Sequence, residues 1–255
     1  MNPNSLIKYQ IFLFISFLFS SCNNDNRNTS NTSHESLTEV HKSDTSFYKT
    51  GKVKVVIQKV NQIKNGWQYE YSEAGLLTNK AFYKDGRQYG LTYSYFPNGR
   101  IQSVGRWLNG RKFGDQTFYY ENGKIEAFAS YDFQEHCRYL EKFTQNGLLI
   151  NESGTLLGQL MYEGNIDSIF PNQHFVMHVC IANPPFVILK TYVNDYDDKD
   201  HLQKRVLVNP VNNHFTVDKF FVKKGKALQL ITCEIYSHEN ILLKVDTLKT
   251  AFDIK

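Results

Sequence analysis

Long stretches of one charge are missing from this chain. It carries 29 Lys and Arg against 25 Asp and Glu in 255 residues, a formal net charge of +4. No stripe of basic side chains appears, and residues 66–131 hold eight basic and six acidic residues. Nucleic-acid binding needs a basic footprint, so no nucleic-acid partner is expected. Apolar runs are short. The longest near the start covers residues 11–19, too few to span a bilayer as a helix. Catalytic signatures are also lacking. There is no Gly-x-Ser-x-Gly elbow, no phosphate-binding glycine loop and no pair of placed carboxylates. A non-enzyme without cofactor or metal is the expectation. Cysteine is scarce, with Cys22, Cys137, Cys180 and Cys233 alone.

What the chain does have is a period. Gly66, Gly90 and Gly114 fall 24 apart, as do Gly75, Gly99, Gly123 and Gly147. Tyr71, Tyr95 and Tyr119 keep the same step, and so do Tyr83, Trp107 and Tyr131. A fixed period over three or more copies marks a repeat architecture. Asn98-Gly99 and Asn109-Gly110 punctuate one unit. Asn-Gly between short apolar runs is the strongest local hairpin signal, since a type I′ turn needs φ > 0 at both central residues. Between the turns, side chains alternate as on a strand. Each unit is therefore two strands and two turns, and successive units should pair as an antiparallel meander. The predicted core is aromatic. Of 37 Phe, Tyr and Trp, 16 lie in residues 67–131. Gly66, Gly90 and Gly114 are expected to leave room for rings from neighbouring strands.

The unit Gly90-Leu-Thr-Tyr-Ser-Tyr-Phe-Pro-Asn-Gly99-Arg-Ile, followed by Trp107-Leu-Asn-Gly110-Arg-Lys-Phe-Gly114, resembles the MORN repeat in the longer variant of bacterial envelope proteins. The resemblance covers residues 66–131. It extends in degenerate form to residues 47–53, which keep Gly51, and 143–149, which keep Gly147. It implies a β-hairpin array used for scaffolding or binding. It also admits an antitoxin role, which some bacterial members fill.

The first 22 residues read as a targeting segment. Lys8 precedes the apolar run, and Phe19-Ser-Ser-Cys22 resembles a bacterial lipobox. That resemblance implies cleavage before Cys22 and acylation of it. The result would be a lipoprotein held in the cell envelope, at the outer membrane in preference to the inner, facing periplasm or surface. Residues 23–45, rich in Asn, Ser and Thr, read as a disordered tether. Residues 46–157 form the repeat domain. The pattern breaks over 132–140 and resumes once over 143–149.

From residue 158 the periodic glycines stop. Apolar runs follow at 175–182, 186–193, 205–208, 215–222, 227–236, 241–245 and 251–254. Seven or so short strands predict a β-sandwich over 158–255. The hairpin at Lys223-Lys-Gly-Lys226 resembles the late hairpin of immunoglobulin-like or fibronectin-like domains. With no Trp here, an antibody-type domain does not fit. Cys180 and Cys233 read either as a disulfide or as two small buried apolar residues. His174 and His178 share a side of one strand, a metal-ligand hint that lacks a third ligand. The acidic run Asp195–Asp200 fails the calcium-loop pattern at Lys199 and reads as a solvated loop. His136 and Cys137 point to opposite sides of a strand and do not make a nucleophile and base.

The fold class expected is thus all-β, a hairpin array of period 24 followed by a sandwich. The functional expectation is a membrane-anchored module binding or scaffolding an envelope protein. Tyr71, Tyr95, Trp107 and Tyr119 form the candidate binding face. The alternatives are an antitoxin or immunity lipoprotein and a glycan-binding accessory protein.

Overall fold

The computed structural model describes residues 40–158, 161–163 and 169–255. The targeting segment, Cys22 and the tether up to residue 39 lie outside the described residues. The described chain is all-β. The first ten strands are β1 (His41–Phe47), β2 (Val53–Val60), β3 (Ile63–Tyr71), β4 (Leu77–Lys84), β5 (Arg87–Tyr95), β6 (Ile101–Leu108), β7 (Arg111–Tyr119), β8 (Ile125–Tyr131), β9 (Cys137–Phe143) and β10 (Leu149–Gly154). They form one antiparallel sheet in strict chain order. The remaining strands are β11 (Met161–Glu163), β12 (Gln173–Cys180), β13 (Ile188–Tyr196), β14 (Leu202–Val208), β15 (His214–Phe221), β16 (Gly225–Tyr236) and β17 (Leu242–Ile254). They form a three-stranded sheet, β11-β12-β15, facing a four-stranded one, β14-β13-β16-β17.

The period comes from two alternating turn chemistries. At one end of the meander the turn is two residues long. Asn109 and Gly110 have φ of 52° and 84°, both left-handed, as a type I′ turn demands. At the other end Asn98 is not left-handed, and only Gly99 is, with φ of 80°. There the Phe96 carbonyl accepts from Gly99 N at 2.9 Å, and Phe96 N donates to the Arg100 carbonyl at 2.8 Å. This is a type I turn closed by a left-handed glycine. Pro97 fixes its φ near −65°, which suits the first central position of a type I turn. The two Asn-Gly pairs thus specify different turns.

Gly66, Gly90 and Gly114 do not make room for rings. Each lies in a bulge where three residues of an odd strand face one of its partner: Gln58, Phe82 or Arg106. An added Cβ would meet Gln58 at Gly66, Asn213 at Gly114 and nothing within 4 Å at Gly90. What they supply is a bent ladder. Nearby glutamines bond the backbone groups it frees: Gln58 Oε1 accepts from Trp67 N at 2.6 Å, and Gln116 Nε2 donates to the Arg106 carbonyl at 2.9 Å. Recurrent bulges add local right-handed twist to a sheet.

Three details differ from the expected boundaries. The sheet begins at His41, inside the stretch read as tether, because Lys59 Nζ reaches Asp44 Oδ2 at 2.5 Å and Thr45 pairs with Val56. The pattern break at 132–140 is a loop followed by an ordinary strand, β9. The runs at 241–245 and 251–254 are one strand, β17. Between the two runs Asp246, Thr247, Lys249 and Thr250 flank Leu248 and look like a gap in the sequence, while the ladder to β16 continues from Gly225 to Tyr236.

The two small sheets enclose the main core. Met177 and Val179 (β12), Val217 (β15), Val193 (β13) and Ile231 (β16) have no exposed surface. Burying each contributes about 1.5–3 kcal/mol. Phe128 and Tyr139 of the large sheet belong to the same apolar cluster, as do Leu156 and Leu157 just after β10. Asp246 Oδ2 accepts from the N–H groups of Leu156 and Leu157 at 2.7 and 3.2 Å. The passage from meander to sandwich therefore falls between Gly154 and Leu156. The two parts share core side chains.

Candidate binding site

Register decides which side chains share a face. One ladder row crosses all ten strands: Thr45, Val56, Tyr69, Lys80, Tyr93, Val104, Thr117, Phe128, Glu141 and Glu152. Phe128 is in the sandwich cluster, so this row marks the sandwich side. The adjacent row, Ser46, Val55, Glu70, Asn79, Ser94, Ser103, Phe118, Ala127 and Lys142, is polar except at Val55, Phe118 and Ala127 and marks the outer side. Alternation from these rows sets Tyr71, Tyr95 and Tyr119 on the sandwich side. Trp107 does not join them. It lies four residues from Ser103 on an unbulged stretch, and the Ser103 hydroxyl meets that of Ser94 at 2.7 Å, next to Tyr95. Three of the four expected residues share a face, and the fourth stands on the other.

The sandwich side is covered unevenly. Phe128 and Glu141 are buried; Val56, Tyr69, Lys80, Tyr93 and Val104 are only half-buried. Contacts to the sandwich come from β7 onward. Asn213 Nδ2 donates to Asp115 Oδ2 at 2.6 Å, Phe143 packs edge-on against Phe186 at 6.0 Å, and Lys244 pairs with Glu152 at 3.2 Å. Over β3–β5, Lys80 Nζ stands 4.1 Å from the Trp67 ring centre, 5.8 Å from Tyr69 and 5.9 Å from Tyr93. The rings and cation form one open aromatic patch. In β2–β6 the single carboxylate is Glu70, which stands on the outer side.

Where the uncovered and covered parts meet, a cavity of about 480 Å³ opens between the meander and the sandwich. Tyr89, Arg106, Trp107, Leu108, Phe113 and Phe133 line it from the meander, and residues 206–209, 211, 212 and 214–216 from the sandwich. Phe133 rides on the loop between β8 and β9. Its ring stacks on Phe113 at 4.6 Å and meets His214 edge-on at 5.7 Å. Asp132 builds that loop. Its Oδ1 accepts from Gln134 N at 2.8 Å and His136 N at 3.0 Å, and its Oδ2 accepts from Arg138 Nε at 2.6 Å. Burial opposes the Asp132 charge, but Arg138 and the two N–H groups outweigh it and hold the carboxyl below its usual range. Burial pushes Asp115 the other way, upward. His214 is pushed down by burial and then by His178, which keeps its ring neutral.

The remaining sequence candidates have structural partners. His174 Nδ1 meets Asp218 at 2.8 Å; His178 meets Glu163 at 2.9 Å and His214 at 3.4 Å. No group of three or more metal-type ligands forms among the described residues. Asp197 caps its own turn, accepting from Lys199 N at 2.9 Å and His201 N at 2.8 Å. Asp195 is engaged by buried Lys219 and by Gln229. Cys180 and Cys233 are free and buried on opposite sheets, with burial raising their thiols to about 12 and about 11. The cavity was not legible in the sequence. Its walls come from residues as far apart in sequence as Tyr89 and Thr216, and of the four aromatic residues expected on a binding face only Trp107 borders it.

The chain matches no protein-family model, and no curated protein is found to be similar to it. The fold defines a class by itself: an all-β hairpin array that shares core side chains with a sandwich.

Proposed function

We propose that the chain is a non-catalytic binding module of the bacterial cell envelope. Its MORN-like meander engages an acidic segment of a protein partner, and its fibronectin-like sandwich braces that meander. The lipobox-like Cys22 supports the envelope placement, and the three-on-four strand order supports the reading of the sandwich. One observation carries the binding role. The sandwich-side face of β2–β6 presents Trp67, Tyr69 and Tyr93 around Lys80, with Lys54 and Arg106 on the same face and no carboxylate. Rings with adaptable cations suit the hot-spot chemistry of protein interfaces, and a positive face steers toward a negative partner.

The test is capture from crosslinked envelopes with the tagged full chain and with Lys80→Glu. Wild type should retain one stoichiometric protein. Lys80→Glu should lose it at least ten-fold, and Glu70→Lys on the outer side should not. Equal retention by wild type and Lys80→Glu would remove the reading.

A further inference from the structure

The cavity between meander and sandwich is chemically unlike the open patch. Its walls are rings and aliphatic side chains, with one formally charged group, Arg106. Arg106 shares the sandwich-side face of β6, opposite the bulge at Gly114. It forms no ion pair with any described carboxylate. Its charge is felt by Asp115, whose oxygens are engaged by Asn213, Asn183 N and Ser130. His214 is held neutral, and the other polar wall groups are amides and hydroxyls. Arg106 is half-buried, so it presents a cation with room for an anionic partner beside otherwise apolar walls.

We propose that this cavity is a binding site for a small apolar acid: a ring-sized hydrophobic body with a single carboxylate, set against Arg106. The volume falls within the ~300–1,000 Å³ range of small-molecule sites, which are mostly apolar with a few placed polar groups. The guanidinium fork matches a carboxylate bidentately. One cation favours one negative charge; the second charge of a dianion would lie unpaired against Phe113, Phe133 and Phe215. Phe133 forms one wall, stacked on Phe113 at 4.6 Å and set there by the loop that Asp132 builds.

The test titrates the full chain with 4-phenylbutyrate and with its neutral counterpart 4-phenylbutanol. Binding is followed by calorimetry. The acid should bind at least ten-fold more tightly than the alcohol. Arg106→Gln should abolish that preference while leaving the alcohol's affinity unchanged, and Arg106→Lys should keep most of it. Phe133→Ala should weaken both ligands, reporting the cavity itself. Equal binding of acid and alcohol, an acid affinity untouched in Arg106→Gln, or no binding of either ligand to a folded protein would each overturn the proposal. Loss of partner capture in Lys80→Glu with acid binding intact separates this site from the open patch.

Discussion

Replacing Gly154 by alanine is expected to cost about 4 kcal/mol of stability, the largest effect of an added methyl group among the described glycines. Two terms add. Gly154 has φ of +91°, a conformation that strains a residue with a Cβ by roughly 1–3 kcal/mol. The added Cβ would also overlap the Arg138 carbonyl oxygen and lie 3.1 Å from Tyr139 Cα. Both obstacles are backbone, so no side chain can swing aside. Arg138 O is meanwhile held by Thr155 N at 2.8 Å, and Leu156 follows into the core. Relief would require the end of β10 to move away from β9. Denaturant unfolding of Gly154→Ala should show a much lower midpoint. A loss under 1.5 kcal/mol would mean that the junction yields. Gly90→Ala is the control, since its φ is +75° but its Cβ meets nothing.

Asp132→Asn should cost about 3 kcal/mol at neutral pH. The carboxylate is 1% exposed, accepts from two backbone N–H groups and pairs with Arg138. Hydrogen bonds to a charged group contribute about 1.5–3 kcal/mol each way, and a buried pair that loses one partner costs more. The pH dependence follows from the sign of the shift. The folded-state pKa lies below the unfolded value, so the stabilisation is complete above the unfolded pKa, about 3.9. It is lost as pH falls through the folded pKa. Wild type and Asp132→Asn should differ most above pH 5 and converge in stronger acid. Asp115 acts in the opposite sense, because its raised pKa makes ionisation unfavourable to folding as pH rises through and above the normal carboxylate range. An Asp132→Asn variant as stable as wild type at pH 7 would show that Arg138 and the loop hold Phe133 without the charge.

Much of the meander could be read directly from the sequence, because its determinants are local. A glycine at a fixed step specifies a turn, and a two-residue alternation specifies a strand. The sandwich was legible as a count of apolar runs. Face assignment was legible only in part. Tyr71, Tyr95 and Tyr119 sit at equivalent positions of equivalent strands, so equal spacing does put them together. Trp107 lies on the following strand of the unit, past a turn and a ladder irregularity at Ile101. Each such irregularity resets the relation between residue number and face, and spacing cannot count them. The cavity was illegible for a different reason: its walls meet through the shared core of Phe128, Tyr139, Leu156 and Leu157, a long-range packing event. Asp132 looked like the start of a pattern break. The break is the loop that its carboxylate builds.

The chain-order pairing of the ten strands has a mechanical consequence. Each strand of the meander bonds only to its sequence neighbours, and the chain enters at β1 and leaves from β10 into the sandwich. Tension between the amino end and the sandwich therefore pulls across the strands. It loads the hydrogen bonds one rung at a time, like a zipper, instead of shearing a whole strand at once. Each 24-residue unit that peels away releases about 80 Å of contour length at the ~3.3–3.6 Å per residue of extended chain. Peeling from β1 meets the first cross-links to the sandwich at β7, where Asp115 bonds Asn213, and then at β8 and β9, where Phe128 and Tyr139 enter the shared core.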